Sequence, residues 1–155
     1  MLHKIGTLYL NGRPAAPGSM YESGMTVSFG PSVDGHELYW KPIPNTTSFI
    51  LAAPALLNIS WRQLRDLGFV NGKSYEMDGN IYMVRLPRLG IKPPVAPAPL
   101  EGICFWGQET FIGFSGKQPM QLCPIGSIVT NSWGSESPAA RREDLGFVPV
   151  IDKGI

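Results

Sequence analysis

Apolar residues near the start of the chain fall into short runs that alternate with polar positions and end at turn-forming residues. Residues 5–10 are one such run, closed by Asn11-Gly12, which is a strong signal for a tight turn between strands. Residues 25–29 place an apolar side chain at every second position, the period of a half-buried strand. Residues 36–40 form a third run that stops before Pro42. This series predicts a meander or a small sheet.

One segment has the signals of a helix instead. Ser60 and Gln63 have the spacing of a capping box, in which the two side chains satisfy free N–H groups of the first turn. Gly68 stands where a helix ends in the left-handed conformation, which glycine adopts without steric cost. The apolar residues between them share one face: Trp61, Leu64 and Leu67. These signals predict a helix of about two turns over residues 61–67.

A hairpin is predicted directly after this helix. Residues 73–77 and 81–86 flank Asp78-Gly79-Asn80, and Asp-Gly is a preferred pair for tight turns. Residues 87–99 then contain five prolines in thirteen positions. This density excludes a helix or a central strand and favours an extended surface connection.

Further short apolar runs follow in the last third of the chain. Residues 103–106 and 146–151 each have the length and composition of a strand. We expect the 155 residues to form a single domain, because this length is typical of one. Within it, residues 1–57 form a β-rich N-terminal part, and residues 58–155 form a second part that contains the proline-rich connection.

Composition excludes several classes of protein. Charged residues make up 16 % of the chain, against about 25 % in ordinary domains, and 43 % are hydrophobic, which argues against disorder. The 18 glycines and 15 prolines argue against a helical bundle. A net charge of +1 supplies no broad field to attract nucleic acid, so we expect no direct nucleic-acid binding. The composition favours a turn-rich domain, mostly β or irregular.

No segment predicts secretion, membrane contact or a metal site. The N-terminus has no apolar run of signal-peptide length, and the longest apolar stretch, residues 49–59, is interrupted by Pro54 and Asn58. We therefore expect a cytoplasmic location. Cys104 and Cys123 are expected to be reduced and buried, and together with the two histidines they lack the spacing of a zinc site. We expect no catalytic set, no metal and no cofactor.

The segment Phe105-Trp106-Gly107-Gln108-Glu109 is the first candidate binding feature. Two aromatic rings beside an amide and a carboxylate can form a stacking surface with hydrogen-bonding groups at its edge. The alternative is that Phe105 and Trp106 belong to the core, and that Gln108 and Glu109 begin a loop. The sequence leaves both interpretations open.

A second candidate lies at residues 131–137, where small polar residues surround one tryptophan, as in adaptable recognition loops. Its candidate binding residues are Asn131, Trp133 and Ser135. Arg141 and Arg142 follow, and paired guanidinium groups can hold a carboxylate or a phosphate. The alternative is a pair of exposed arginines balanced by the two acidic residues after them.

Several motifs occur in an order that resembles a known family. In chain order these are Asn58-Ile59-Ser60-Trp61, Asp78-Gly79, Phe105-Trp106-Gly107-Gln108-Glu109, Ala139-Ala140-Arg141 and Gly146-Phe147-Val148-Pro149-Val150. The chain resembles small prophage and mobile-element proteins with a C-type-lectin-like domain, the fold of formylglycine-generating enzymes. Val148 stands where that family has an arginine. Cys104 and Cys123 do not match the closely spaced cysteines that those enzymes use.

The resemblance implies an α+β fold of the C-type-lectin-like type, with short strands, one or two short helices and much irregular loop. It carries over no enzymatic activity. We therefore expect a non-catalytic binding protein, encoded by a phage or mobile element, that recognises a protein partner such as a component of a host defence system.

Two alternatives belong to other classes of function. In the first, the protein binds a nucleotide signal, with Trp106 or Trp133 stacked on the base and Arg141 or Arg142 on the phosphate. In the second, it is an oxidase similar to formylglycine-generating enzymes. The low charge and many aromatic residues also leave room for a homo-oligomer.

Overall fold

Two β-sheets make up most of the described residues. The computed structural model describes residues 2–87, 104–113, 116–122, 133–135 and 145–154, and the side-chain surroundings of residues 2–87 and 146–154. Its helix is α1 (Trp61–Asp66). The strands, in chain order, are β1 (His3–Leu10), β2 (Arg13–Ala15), β3 (Ser19–Met20), β4 (Val27–Gly30), β5 (Glu37–Pro42), β6 (Ser48–Leu51), β7 (Leu56–Leu57), β8 (Lys73–Met77), β9 (Asn80–Arg85), β10 (Cys104–Gly113), β11 (Gly116–Leu122), β12 (Trp133–Ser135), β13 (Leu145–Phe147) and β14 (Val150–Lys153).

The first sheet is antiparallel and strongly curved. Its strand order is β2-β1-β5-β6-β14-β9-β8, and β4 also pairs with β1. Strand β8, at the far end of this order, lies beside β4. The sheet therefore bends back on itself, and the side chains on its concave face pack against one another.

Side chains join β8 to β4 and β1 where these strands approach. Asp78, in the turn after β8, accepts hydrogen bonds from the Gly6 N–H at 2.9 Å and from the Ser32 N–H at 2.8 Å. The Ser32 hydroxyl donates a third hydrogen bond to the same carboxylate at 2.6 Å. The Tyr75 ring packs edge-on against the Phe29 ring, with centroids 5.7 Å apart. One carboxylate and one ring contact thus close the curved sheet.

The second sheet has the strand order β12-β11-β10-β13-β7-β3. Its β10–β13 and β3–β7 pairs are parallel, and its other pairs are antiparallel. Strands β3 and β7 come from the first part of the chain, whereas their sheet neighbours come from the last part. The first sheet likewise includes β14, so both sheets combine early and late segments.

Aromatic rings connect the two sheets. Phe69, in the loop after α1, lies 5.0 Å from Phe147 of β13 and 5.8 Å from Phe29 of β4, measured between ring centroids. The Phe69 ring also stacks on Tyr75 of β8, with centroids 6.1 Å apart. Phe69 and Phe147 are completely buried. Phe69 therefore fills the space between the sheets, and burying a ring of this kind stabilises the fold by about 1.5–3 kcal/mol.

Helix α1 confirms the prediction made from the capping box. The Ser60 hydroxyl accepts a hydrogen bond from the Gln63 N–H at 3.0 Å, and the Gln63 side-chain oxygen accepts one from the Ser60 N–H at 2.9 Å. Leu67 is the C-cap, and Gly68 has a φ of 94°, the left-handed conformation expected of it. Leu64 is completely buried, so the predicted apolar face packs into the core.

The predicted early strands and the hairpin are also confirmed, with small shifts at their ends. The turn between β1 and β2 is Asn11-Gly12, whose φ values of 51° and 77° are those that a tight hairpin turn requires. The β8–β9 hairpin turns at Asp78-Gly79, and Asn80 already belongs to β9. In β4, Val27 and Phe29 are buried, as their alternation predicts.

The predicted α+β fold class is wrong. The structure is mostly β, with one helix of six residues among those described, rather than a mixed fold with one or two helices. The physical reason lies in the chain itself. The helix signal ends at Gly68, and the apolar positions of the other early segments keep the two-residue period of strands. The mostly β alternative that composition favours is therefore the better description.

Residues 146–151 do not form the single strand that their composition predicts. They are divided between β13 in the second sheet and β14 in the first, with Val148 and Pro149 between them. Pro149 has no N–H group to donate to a ladder, so strand pairing stops there. Its carbonyl accepts a hydrogen bond from the Leu51 N–H at 3.0 Å. The chain crosses from one sheet to the other at this proline.

Residues 104–106 of the predicted strand belong to β10, which begins at Cys104 and extends to Gly113. The proline-rich connection beyond Pro87 lies outside the described residues, and so does the predicted burial of Cys104 and Cys123. In the part of the chain that the structure describes, no helix has both the length and the apolar character needed to span a bilayer.

Candidate functional site

An apolar groove opens beside strand β5 of the first sheet and the end of β6. Its volume is about 260 Å³. Its lining residues are Leu2, Pro17, Tyr39, Leu51, Ala52 and Ala53. Leu2 is 47 % exposed and Tyr39 is 43 % exposed, which places both among the most exposed large hydrophobic side chains of the described residues. Two such side chains beside one groove form a surface that can bind an apolar group.

The strand period of β5 explains why Tyr39 reaches this groove. Leu38 and Trp40 are completely buried on the concave face of the sheet, so the residue between them points outward. The Trp40 indole N–H donates a hydrogen bond to the Ile5 carbonyl at 2.8 Å, which holds β5 in place from the inside. The Ala52 N–H donates a hydrogen bond to the Tyr39 carbonyl at 2.9 Å. Ala52, at the floor of the groove, is therefore fixed relative to Tyr39.

Positive charge lies beside the groove. The Lys4 ammonium is 5.9 Å from the centroid of the Tyr39 ring, a distance at which a cation and a ring attract each other. Lys4 pairs with Tyr39 in the β1–β5 register. Lys41 follows Tyr39 by two residues in the same strand, so it belongs to the same face.

Glu37 is the acidic residue of β5 on this face, and its carboxylate is already engaged. A hydrogen bond with its own backbone N–H, together with one from the Gly35 N–H at 2.8 Å and the nearby Lys4 charge, outweighs partial desolvation and lowers the pKa of Glu37. Glu37 is therefore ionised at neutral pH and is turned toward its own turn. Its negative charge offsets part of the Lys4 charge. Lys4 and Lys41 together carry more charge than Glu37, so the three groups have a net positive charge.

A half-buried ion pair connects strands β9 and β14 of the first sheet, and a hydroxyl group of β6 joins it. The Arg85 Nε–H donates to Asp152 Oδ2 at 2.6 Å, and its Nη2–H donates to Asp152 Oδ1 at 3.2 Å. The Ser48 hydroxyl donates to the same carboxylate. Arg85 also donates to the Leu86 carbonyl at 3.1 Å, which satisfies a further N–H of this buried side chain. This geometry is that of a structural clamp joining β6, β14 and β9.

His36 has a buried Nδ1 atom without a hydrogen-bond partner among the described residues. It precedes Glu37 at the start of β5, where its backbone carbonyl accepts a hydrogen bond from the Thr7 hydroxyl at 3.1 Å. The part of the chain that the structure describes holds no group of three His, Cys, Asp or Glu side chains able to bind a metal ion. The described geometry near His36 therefore assembles no metal centre.

The predicted aromatic residues of the second sheet lie on the two strands that flank β11. Trp133 pairs with Leu122, and Leu122 pairs with Phe105. Trp106 is the next residue after Phe105 and pairs with Gln121. Trp106 and Trp133 therefore lie on either side of β11, opposite two of its consecutive residues.

The register also places the segment of Trp106 beside β13. Phe105 pairs with Gly146 in the parallel β10–β13 ladder. The burial of Trp106 and Trp133 lies outside what the structure describes. The core interpretation and the recognition interpretation therefore both stay predictions.

Gln108 and Glu109 lie where the β10–β11 ladder is irregular. The register shifts between Trp106 and Thr110, so both residues lie in an irregular part of the ladder. Ser135 ends β12 and pairs with Met120. The structure thus joins the segments of Trp106 and Ser135 through β11.

The remaining predicted site residues lie outside the described part of the chain. These are Asn131, Arg141 and Arg142. The predicted binding set is therefore distributed over strand β10, the irregular part of its ladder, edge strand β12 and segments without description. The groove on the first sheet is assembled independently of all of them.

Sequence reasoning missed the groove because its lining comes from four separate stretches of the chain. One signal was available for Tyr39. The order Leu38-Tyr39-Trp40 within a predicted strand requires one of the three aromatic or aliphatic residues to face outward. The approach of Leu2, Pro17 and Ala52 to that ring depends on strand pairing and could not be read from the pattern.

Comparisons of this chain with protein-family models, with curated proteins and with solved structures find no match. The resemblance to C-type-lectin-like proteins of prophages and mobile elements therefore stays a prediction. The function has to be argued from the site itself.

Proposed function

We propose that this protein is a non-catalytic binding protein that recognises a protein partner through the groove on its first sheet. The observation that supports the proposal is the pairing of two exposed hydrophobic side chains, Leu2 and Tyr39, beside one apolar depression. Removing such side chains from water is favourable by about 25 cal/mol per Å² of apolar surface. A partner that covers the groove therefore lowers the free energy of the system.

The size of the groove favours a side chain of a protein over a free small molecule. Pockets for drug-sized ligands measure roughly 300–1,000 Å³. The groove, at about 260 Å³, lies below that range. It can accept one large aliphatic or aromatic side chain, and the surrounding sheet offers further contact area. Protein interfaces commonly place a central apolar anchor in a pocket of this kind.

The groove is also supported by rigid structure. Tyr39 is held in a central strand whose inner neighbours, Leu38 and Trp40, are completely buried. Ala52 is tied to the Tyr39 carbonyl by a backbone hydrogen bond. A preformed site loses little conformational freedom on binding, which increases affinity for a given contact area. Inhibition of a host defence component remains a prediction that rests on the family resemblance.

Selection from a library of displayed random peptides tests the proposal. The protein is immobilised through a C-terminal tag, so that Leu2 stays accessible, and is compared with two groove variants. Tyr39→Thr removes one lining ring and introduces a β-branched residue that suits a strand, whereas Ala52→Leu adds volume at another lining position. Ile81→Thr is the matched control, because Ile81 is a 54 % exposed hydrophobic residue on β9 of the same sheet, outside the groove lining.

We expect the native protein and Ile81→Thr to enrich the same family of peptides, which share an apolar residue. Both groove variants should lose that enrichment. Equal enrichment by the groove variants, or no enriched family on the native protein, would show that the groove is not a binding site.

A further inference from the structure

The electrostatics of the groove indicate what kind of partner segment it accepts, and this inference rests on the proposed function. Lys4 lies over the ring of Tyr39, on the groove wall, with its ammonium 5.9 Å from the ring centroid. Lys41 belongs to the same face of the same strand as Tyr39. An apolar depression with one ammonium group beside a lining ring, and a second lysine on the same face of the strand, differs from a purely hydrophobic patch.

Neither lysine has a carboxylate within ion-pair distance among the described residues. Glu37 accepts the Gly35 N–H at 2.8 Å, and it is near enough to Lys4 to interact with that charge without forming an ion pair. A carboxylate of a ligand therefore displaces no ion pair of either lysine in this part of the chain. Long lysine side chains can reorient at low cost, so they can follow a carboxylate that arrives with the ligand.

We propose that the occupant of the groove is a segment of a partner protein in which an apolar side chain is flanked by aspartate or glutamate. The apolar side chain enters the depression between Leu2, Tyr39 and Ala52. The carboxylates on either side of it contact Lys4 and Lys41. The apolar contact supplies affinity, and the charges set orientation and exclude basic segments.

A fatty acid also combines an apolar chain with a carboxylate, but the arrangement of charges favours a protein segment. The two lysines on this face of β5 match acidic residues on both sides of an apolar side chain, whereas a fatty acid carries one carboxylate. A fatty acid is therefore a competing outcome of the test.

Titration of the ¹⁵N-labelled protein with defined peptides, followed by NMR, tests the assignment. The first heptapeptide has a central phenylalanine flanked by two aspartates on each side. The second replaces every aspartate by asparagine, and the third keeps the aspartates but replaces phenylalanine by serine. Octanoate serves as the fatty-acid probe.

The titrations are repeated on the double variant Lys4→Gln/Lys41→Gln. Its matched control is Lys73→Gln/Lys153→Gln, which removes the same charge elsewhere. Lys73 is well suited to this purpose, because its ammonium lies 5.8 Å from the centroid of the Tyr75 ring, the same arrangement as Lys4 over Tyr39.

We expect the acidic phenylalanine peptide to bind about 5- to 10-fold more tightly than the asparagine peptide, since each exposed ion pair contributes a factor of up to about five. The preference should vanish in Lys4→Gln/Lys41→Gln and persist in the control. High salt should also reduce it, because exposed charges are screened.

Each other result decides the question against the inference. Equal binding of the two phenylalanine peptides would overturn the acidic preference and leave the proposed binding function standing. Equal binding of the serine peptide, or no binding by any peptide, would overturn both. Tighter binding of octanoate than of the acidic phenylalanine peptide would replace the protein segment by a fatty acid.

Discussion

The two faces of strand β5 differ in what their side chains contribute. On the concave face, Leu38 and Trp40 are completely buried and pack with the core. On the outer face, Tyr39 is 43 % exposed and forms a wall of the apolar groove. The three residues are consecutive, and each has a large side chain with extensive apolar surface. Their difference shows that the sheet, rather than the residue type, divides positions that stabilise the fold from positions that are free to bind.

This division gives each proposed variant a clear expectation. A substitution on the inner face should change the free energy of unfolding, and it should affect binding only through loss of the folded protein. A substitution on the groove face should do the reverse. Substitutions on the two faces therefore test whether stability and binding depend on different residues, and Trp40→Ala should cause the largest loss of stability.

Trp40→Ala should destabilise the protein by about 3–5 kcal/mol, the usual cost of truncating a fully buried tryptophan. The change leaves a cavity and removes the indole donor that lies 2.8 Å from the Ile5 carbonyl. Urea denaturation followed by circular dichroism measures the difference. Trp40→Phe separates the two contributions, because it retains an aromatic ring and loses only the hydrogen bond and part of the volume. A loss below about 1 kcal/mol for Trp40→Ala would contradict the assignment of Trp40 to the core.

Asp152→Ala tests whether the division into inner and outer faces is complete. Asp152 is partly exposed, yet it carries the bidentate contact to Arg85, whose side chain is only 10 % exposed. Removing one partner of a buried ion pair costs about 3–5 kcal/mol, and the partial exposure of Asp152 places the expected loss near 3 kcal/mol.

The matched control for this prediction is Asp66→Ala. The Arg65–Asp66 pair has a similar N···O separation of 3.1 Å, but its side chains are 53 % and 65 % exposed. Exposed pairs contribute between 0 and about 1 kcal/mol, so Asp66→Ala should have little effect in the same denaturation experiment. If both variants lost the same amount of stability, burial of Arg85 would not be the reason why its ion pair stabilises the protein.

Sequence patterns predicted the local elements well and the arrangement of the sheets poorly. The turn at Asn11-Gly12 and the helix between Ser60 and Gly68 depend on neighbouring residues, whose conformational preferences act wherever the segment lies. The division of residues 146–151 between two sheets depends instead on partners 50 to 100 positions away, such as Ile50 for Val150 and Leu57 for Gly146. No local pattern carries that information.

The fold class was predicted correctly from composition and wrongly from the family resemblance. Glycine, proline and strand alternation favoured a mostly β domain, whereas the family resemblance implied α+β, and the structure has the former. Neither the composition nor the family resemblance predicted the groove. Its residues are ordinary in sequence, and only the pairing of β1, β5 and β6 brings Leu2, Tyr39 and Ala52 together.

Asp78→Asn should cost about 1–2 kcal/mol at neutral pH, because the carboxylate accepts three hydrogen bonds that join β8 to β1 and β4. Asparagine tolerates the positive φ of 53° at this position, so the backbone is not strained by the change. Asp78 and Tyr39 are both exposed, but only Asp78 is expected to contribute to stability, because its hydrogen bonds close the curved sheet.

The pH dependence identifies the carboxylate as the cause. Desolvation raises the pKa of Asp78, but the hydrogen bonds from Ser32 and Gly6 outweigh it and lower that pKa overall. A carboxyl group with a lowered folded-state pKa contributes stability above its unfolded pKa and loses it as pH falls through the folded value. The difference between native protein and Asp78→Asn should therefore shrink as the solution becomes acidic. Asp34→Asn, at an exposed acid in the turn after Ser32, is the control; a pH profile equal to that of Asp78→Asn would contradict the prediction.

Tyr39→Thr should change the free energy of unfolding least, by under about 1 kcal/mol. The ring is 43 % exposed, threonine retains a preference for strands, and the lost contact with the Lys4 ammonium is worth about 0.5–1 kcal/mol at a surface. The same variant should lose the peptide family that the native groove selects. Trp40→Phe provides the opposite case within one strand, since it lowers stability and should leave peptide selection intact at temperatures where the protein is folded. If Tyr39→Thr destabilised the protein as much as Trp40→Phe and kept its peptides, the outer face of β5 would serve the fold and not recognition.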